Sequence, residues 1–238
     1  GEALTIILAA DVPSLARIRL SANWMAACGE TGEDAALYET VRAVGEELCP
    51  ALGIAIPVGK DSLSMRTSWQ EPGGVEHNVV SPVSLIVSAF APVDDARRTW
   101  TPTLCARAGP TALWLIDLGA GRNRLGGSAL AQVYGELGAQ PPDLDDSRRL
   151  VKLAAALAEL RQAGLVLAYH DRSDGGFLAT LLEMAFAGHC GLDVRLPAQG
   201  QGGSPVAQLF AEELGVVLQV AAADEGKVRA ILERHGLA

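Results

Sequence analysis

The stretch "YHDRSDGG" (169–176) sets Asp171, Ser173 and Asp174 side by side, with His170 before them and Gly175 and Gly176 after. Carboxylates bind hard divalent cations, and Mg2+ in particular pairs one or two of them with phosphate oxygens. A hydroxyl adds a phosphate donor, and paired glycines let backbone approach a ligand at the start of a helix. On this reading Asp171 holds a metal, Ser173 and the two glycines meet a nucleotide, and Asp174 caps the following helix. A capping turn with no ligand uses the same residue types. His170 reads as a packed or hydrogen-bonded strand residue. The apolar run "LVLA" just before it puts Asp171 at the carboxyl end of a buried strand, where ligands collect in open sheets.

Two other stretches invite the same question. "PVGKDSLSM" (57–65) resembles a phosphate loop but has Ile54 where the first glycine belongs and Asp61 after the lysine. Pro57 argues against a regular strand there. What remains is a Lys60 ammonium and an Asp61 carboxylate presented together, one for a phosphate and one for a metal or substrate, or an ordinary lysine-bearing turn. "LGAGRNRLGGSAL" (118–130) follows a strand and opens a helix, yet Arg124 occupies the third glycine's place in a dinucleotide fingerprint. Gly126, Gly127 and Ser128 read either as N–H donors to an anion or as a tight turn with Ser128 near the cap. Cys28, Cys49, Cys105 and Cys190 form no CxxC pair and read as reduced thiols, which argues against a zinc site. No nucleophile constellation surrounds any of them.

The elements that must position these groups mix helix and strand throughout. Leu37, Val41, Val44 and Leu48 mark an amphipathic helix over 33–49 that faces a core. "SPVSLIVSAFAPV" (81–93) alternates like a strand with one drier face, and "QEPGGVEHN" before it is turn chemistry at a hairpin tip. A polar, proline-bearing linker ends near Pro110. Beyond it the pattern predicts a strand at "TALWLIDLG", a helix at "GGSALAQVYGEL", a loop at "PPDLDD" and a long helix striped by Leu150, Leu153, Leu157 and Leu160. Then come the strand "LVLAYH", a helix from Gly176, a strand at 192–196, the loop "AQGQGGSP", the strand "LGVVLQV" and a last helix to about His235. The expected class is α+β, in two domains over 1–107 and 108–238. The first looks incomplete, so the chain reads as a segment of something longer.

Composition narrows the roles. Of 238 residues 49% are hydrophobic and 20% charged, as in a folded soluble protein. A net charge of −9 with no basic stripe argues against a nucleic-acid partner. No apolar run spans a bilayer and the start lacks a secretion signal, so no membrane partner and a cytoplasmic location are expected.

Several blocks together resemble one family. "LSANWMAACGETGEDAALYETVRAVGEELCPALGIAIPVGKDSLSM", "RLGGSALAQVYGELG", "HDRSDGGFLATLLEMAFAGHCGLDV" and "LFAEELGVVLQV" are similar to the large bacterial phosphoribosylformylglycinamidine synthases. The likeness runs over essentially the whole chain, and a more distant one reaches the aminoimidazole ribonucleotide synthetase superfamily. The resemblance implies an N-terminal-type domain, incomplete here, followed by a C-terminal-type domain of that superfamily. It implies an ATP- and Mg2+-dependent ligase of purine biosynthesis acting on formylglycinamide ribonucleotide, with ammonia supplied by a glutaminase domain elsewhere. The remaining synthetase and glutaminase domains are then partners, and the segment by itself is expected to be inactive. By the same resemblance Glu2 and Asp171 fall on metal-ligand positions and Ser173 on an ATP contact. Ile6 stands where the family places an asparagine ligand. The implied alternative is a half that holds a structural Mg-nucleotide and scaffolds the active site without turnover.

Overall fold

The computed structural model describes residues 1–107, 109–196 and 203–237. A short helix α1 (Glu2–Ile7) opens the chain, and two compact units follow: Ser14–Pro92, and Gly1–Pro13 together with Val93–Ala238.

The Ser14–Pro92 unit is built on strand β1 (Arg19–Met25), helix α2 (Glu33–Arg42), a π-helical continuation (Ala43–Leu48) and α3 (Cys49–Leu52). Four strands complete it: β2 (Ala55–Ser62), β3 (Arg66–Gln70), β4 (Glu76–Val80) and β5 (Ser84–Phe90). β1 lies between β2, parallel to it, and β5, antiparallel, while β3 and β4 pair as a separate hairpin. Side chains alternate across a strand, so Leu20, Ala22 and Trp24 of β1 share one buried face. The opposite face carries Val58, Ile86 and Phe90, which are 57%, 56% and 61% exposed, with Arg19, Ser21, Asn23 and Ser88 between them. The helix expected over 33–49 forms, but of its stripe Val41 is exposed and Leu37, Val44 and Leu48 are only half-buried. The hairpin tip forms as read, with Gly73 and Gly74 in left-handed backbone.

In the other unit, β6 (Thr111–Asp117) leads to α4 (Ala129–Val133) and the long α5 (Arg148–Ala163). β7 (Val166–Arg172), α6 (Gly176–Gly188), α7 (Pro205–Phe210), β8 (Gly215–Ala221) and α8 (Glu225–Arg234) follow. β8 is central and antiparallel to both β6 and β7. One face carries Ala168 and Val217 under Phe177, Leu181 and Met184 of α6, with Leu104 closing the cluster. The leucine stripe of α5 is buried as its spacing predicts, Leu150, Leu153 and Leu160 to zero exposure.

Several expectations are corrected. β2 continues past Pro57 with a register shift against β1 between Ala55 and Val58, and an edge strand or bulge tolerates a proline because the ladder needs no N–H from it there. The 192–196 segment forms no strand, and the helix predicted over 126–137 shrinks to Ala129–Val133. Of the loop "AQGQGGSP", residues 198–202 lie outside the described residues, and Pro205 already starts α7. The stretch read as a linker is built into the second unit. Asp94 and Trp100 donate backbone N–H groups to Asp11 and Ala9, and Tyr169 donates its own to Thr101. The Arg161 guanidinium donates to Leu8, Ala9, Ala10 and Arg98 carbonyls and lies 3.5 Å over the Trp100 ring. That buried cation draws residues 1–13 and 93–101 around α5.

Candidate functional site

β6 and β7 end, and β8 begins, in one row of the sheet, where Asp117 and Arg172 both pair with Gly215. Every candidate turn of this unit leaves the sheet at that row. Arg172 is 1% exposed, and its guanidinium crosses over β8 to the Asp117 carboxylate while donating to the Glu213 carbonyl (2.5 Å) and the Leu214 carbonyl (3.1 Å). Gly215 makes the crossing possible, since a Cβ there would stand 2.8 Å from the Ile116 carbonyl and 3.3 Å from the guanidinium. A buried arginine needs this full set of acceptors.

A second buried pair fixes the 118–128 turn. Glu213, with zero exposure, accepts from Arg124 Nε (2.6 Å), Nη2 (2.8 Å) and backbone N (3.0 Å). The carboxylate holds that guanidinium still more firmly protonated than usual. Gly119 leaves room for it, because a Cβ would meet the Glu213 side chain at 2.7 Å.

Between these two turns lies a cavity of about 280 Å3 lined by Glu2, Gly126, Gly127, Ser173, Asp174 and Glu212 among others. Glu2 comes from α1 and is an exposed residue at the cavity's edge. Desolvation first, then the charges of Asp174, Asp171 and Glu212, push the Glu2 carboxyl above its ordinary range. Asp171 faces His170 Nδ1 at 3.2 Å, and His170 Nε2 lies 2.9 Å from Glu183 on α6. Hydrogen bonding to Asp171 raises the imidazole's pKa, so His170 is a bridging strand residue as its position suggests. Among the described residues no group of three or more carboxylate, imidazole or thiol side chains is gathered as a metal cage. Oxygen donors alone, in ones and twos beside an open cavity, suit a cation that takes its remaining ligands from phosphate and water.

The glycine turns are less open than their sequences suggest. In 126–128 the backbone N–H groups donate to Gln140, Leu137 and Leu125 carbonyls, and Ser128 caps α4 through Ala131 N at 3.2 Å. Around 175 the N–H of Gly176 goes to the Ser173 carbonyl at 2.9 Å and that of Gly175 to Glu212 Oε1 at 2.8 Å. Gly176 is glycine for packing, since a Cβ would meet the Phe210 carbonyl carbon at 2.7 Å. Gly175, in left-handed backbone, is the helix N-cap, and Asp174 is an exposed cavity residue rather than the cap expected of it. Ile6 is 52% exposed on α1 and offers no donor atom.

Lys60 and Asp61 sit in the other unit, on β2. As consecutive strand residues they point to opposite faces, so they are not presented together. Lys60 Nζ donates to Ser62 Oγ at 3.0 Å on the exposed face beside Asn23, while Asp61 pairs in register with Trp24.

Sequence reasoning missed Glu212, Glu213, Arg124, Arg172 and Asp117. The one signal was the pair of acids in "AEELGVV", directly ahead of a strand too apolar to be flanked by solvent.

Comparison with known proteins places this architecture. Residues 113–238 match the family described as AIR synthase related protein, C-terminal domain, and residues 1–92 match the FGAR-AT PurM_N-like domain. The chain belongs to the AIR synthase-related family. Among solved structures, it aligns with PurLQS of Thermotoga maritima at 18% identity and TM-score 0.60, over 99% of this chain and 35% of that one. PurL of T. maritima complexed with ATP aligns at 16% identity and TM-score 0.55, over 97% and 33%. The E. coli hydrogenase maturation protein HypE aligns at 20% identity and TM-score 0.56, over 99% and 70%. At such identities the likeness is one of fold, and the α+β two-domain architecture is shared by all three. The chain spans about a third of the length of the two Thermotoga structures.

Proposed function

We propose that this chain is part of the synthetase region of a phosphoribosylformylglycinamidine synthase and that the cavity beside Glu2 receives the polyphosphate of ATP through Mg2+. The observation that carries this is the small cavity lined by Glu2, Ser173, Asp174 and Glu212, where desolvation and the charges of Asp174, Asp171 and Glu212 push the Glu2 carboxyl up. A hard divalent cation relieves that repulsion and brings phosphate with it. HypE shares the fold as fully as PurL does, so the fold leaves the reaction open; the long sequence blocks and the N-terminal family match favour the synthase.

In the proposed reaction ATP phosphorylates the formyl amide oxygen of formylglycinamide ribonucleotide. Ammonia then displaces phosphate to give the amidine, ADP and phosphate. When bound, Mg2+ supplies charge neutralisation at the phosphoryl groups. Glu2 and Asp171 hold it, and the Ser173 hydroxyl donates to the phosphate chain. Gly175 and Gly176 shape the bend that aims Ser173 at the cavity. Lys60, on its open sheet face, is available to a substrate phosphate, and Asp61 to substrate orientation. Glutaminase and further synthetase domains act as partners.

A second reading, a noncatalytic half holding a structural Mg-nucleotide, draws on one feature: the cavity lining offers no lysine, histidine or cysteine, and its arginine is tied to Asp117 and to the Glu213 and Leu214 carbonyls. Asp171→Asn in the full-length protein tests both. Loss of Mg2+-dependent ATP binding, measured by titration calorimetry, is expected on either. Collapse of turnover with an unchanged melting temperature supports the catalytic reading. Retained turnover with a lower melting temperature supports the scaffold. Wild-type protein showing no Mg2+-dependent nucleotide binding ends the proposal.

A further inference from the structure

One carboxylate oxygen joins the two glycine turns. Glu212 Oε1 accepts the backbone N–H of Ala129, which closes the 126–128 turn, and that of Gly175, which closes the 173–175 turn, each at 2.8 Å. These turns lie 46 residues apart by these two anchor positions and leave different strands, β6 and β7. Glu212 is itself held from both sides. The 209–211 backbone is packed on Gly176 at distances under 3 Å from a notional Cβ, and the next two carbonyls, of Glu213 and Leu214, accept from the buried Arg172 guanidinium. An acceptor on so fixed a stem cannot follow one turn without the other.

We propose that Glu212 is a positioning residue that locks both glycine turns into one rigid frame and so sets where Ser173 faces the cavity. Its charge matters less than its reach, because hydrogen bonds from two N–H groups to one oxygen need a carbonyl-type acceptor at that point. Turn-phosphate contact through Ala129 N or Gly175 N is pre-empted by the same oxygen, which leaves cation and hydroxyl as the routes to an anion. The consequence for nucleotide rests on the function proposed above; the linkage of the turns does not.

The test is amide hydrogen exchange on the full-length protein without nucleotide, followed by Mg-ATP titration. Glu212→Ala leaves two donors without their charge-assisted acceptor, and exchange in peptides covering 124–132 and 172–178 should rise together by roughly tenfold or more. α5 should be unchanged, which a general loss of stability would not allow. Glu212→Gln keeps an acceptor oxygen and should keep both turns protected. Glu212→Asp keeps the charge on a stem one methylene shorter and should release at least one turn, which covers the case in which the alanine variant fails to fold. Mg-ATP affinity should fall with turn protection across the series. If the alanine and aspartate variants leave both turns as protected as wild type, the frame is wrong whatever the nucleotide does. If the turns loosen together while the wild type binds no Mg-ATP, the frame stands and the nucleotide reading falls.

Discussion

Glu2 sets stability against binding. Its raised pKa means that the folded state prefers the protonated form: stability is fully present below the ordinary carboxylate range and is lost as pH rises through the raised value. At neutral pH Glu2→Gln should therefore raise the melting temperature in the presence of a chelator, since it removes the desolvation of a carboxylate and then its repulsion from Asp174, Asp171 and Glu212. The same variant should lose the further stabilisation that Mg2+ with ADP gives the wild type by mass action. Differential scanning fluorimetry with and without Mg-ADP reads both, and a variant stabilised by Mg-ADP as strongly as wild type would remove Glu2 from the site. Gly215 makes the second argument at this scale. Gly215→Ala places a methyl 2.8 Å from the Ile116 carbonyl beneath the Arg172 crossing. Overpacking of that kind costs about 1–3 kcal/mol, to be measured by urea unfolding.

At the scale of elements, α5 is the post around which the second unit is wound. Its leucine stripe meets the core, Arg161 gathers the chain's first turn and the 98–101 segment, and Glu159 accepts from Arg234 and His235 at the end of α8. Hydrogen bonds from His235 and Arg234 hold the Glu159 carboxyl below its usual range. A depressed carboxylate contributes stability above its unfolded pKa and loses it as pH falls through the folded value. Docking of α8 on α5 should accordingly loosen in acid before the sheet does. Hydrogen exchange of residues 225–234 along a pH series from 7 to about 3 checks this, and Glu159→Gln should show the loosened pattern already at pH 7. In the other unit the hairpin of β3 and β4 stands as an isolated pair. Such a pair is marginal in water, so its strands should be among the first to exchange.

Across the whole molecule, burial is uneven. The unit around β8 has a continuous core, whereas the Ser14–Pro92 unit presents Val58, Ile86 and Phe90 on one sheet face and leaves its helix stripe half-covered. Polar Arg19, Ser21, Asn23 and Ser88 stand between those three on the same face, a mixed composition that suits a surface meeting another surface. The chain by itself should self-associate at micromolar concentration, and the pair Ile86→Lys with Phe90→Ser should return it to a monomer in light scattering with helix and strand content unchanged. A monomeric wild-type chain would count against this reading of the face. No helix among the described residues is long and apolar enough to cross a membrane.

Periodicity and apolar runs determined most of the elements in the second unit: the α5 stripe, β6, β7, β8 and the glycine start of α6 all stand where the sequence puts them, because α5 repeats the burial of one face and the central β8 is an apolar run buried on both. The β2 strand through Pro57, the missing strand at 192–196 and the capture of the 93–101 segment were decided by tertiary structure, since edge position and a partner from elsewhere are not local properties. The site divides the same way. Asp171, Ser173 and Glu2 could be named from type and neighbourhood. Glu212, Glu213, Arg124, Arg172 and Asp117 could not, because a buried charge is tolerable only with partners that the chain brings from as far as 89 residues away. A sequence shows which groups are present; only the packed sheet end decides which of them share an oxygen.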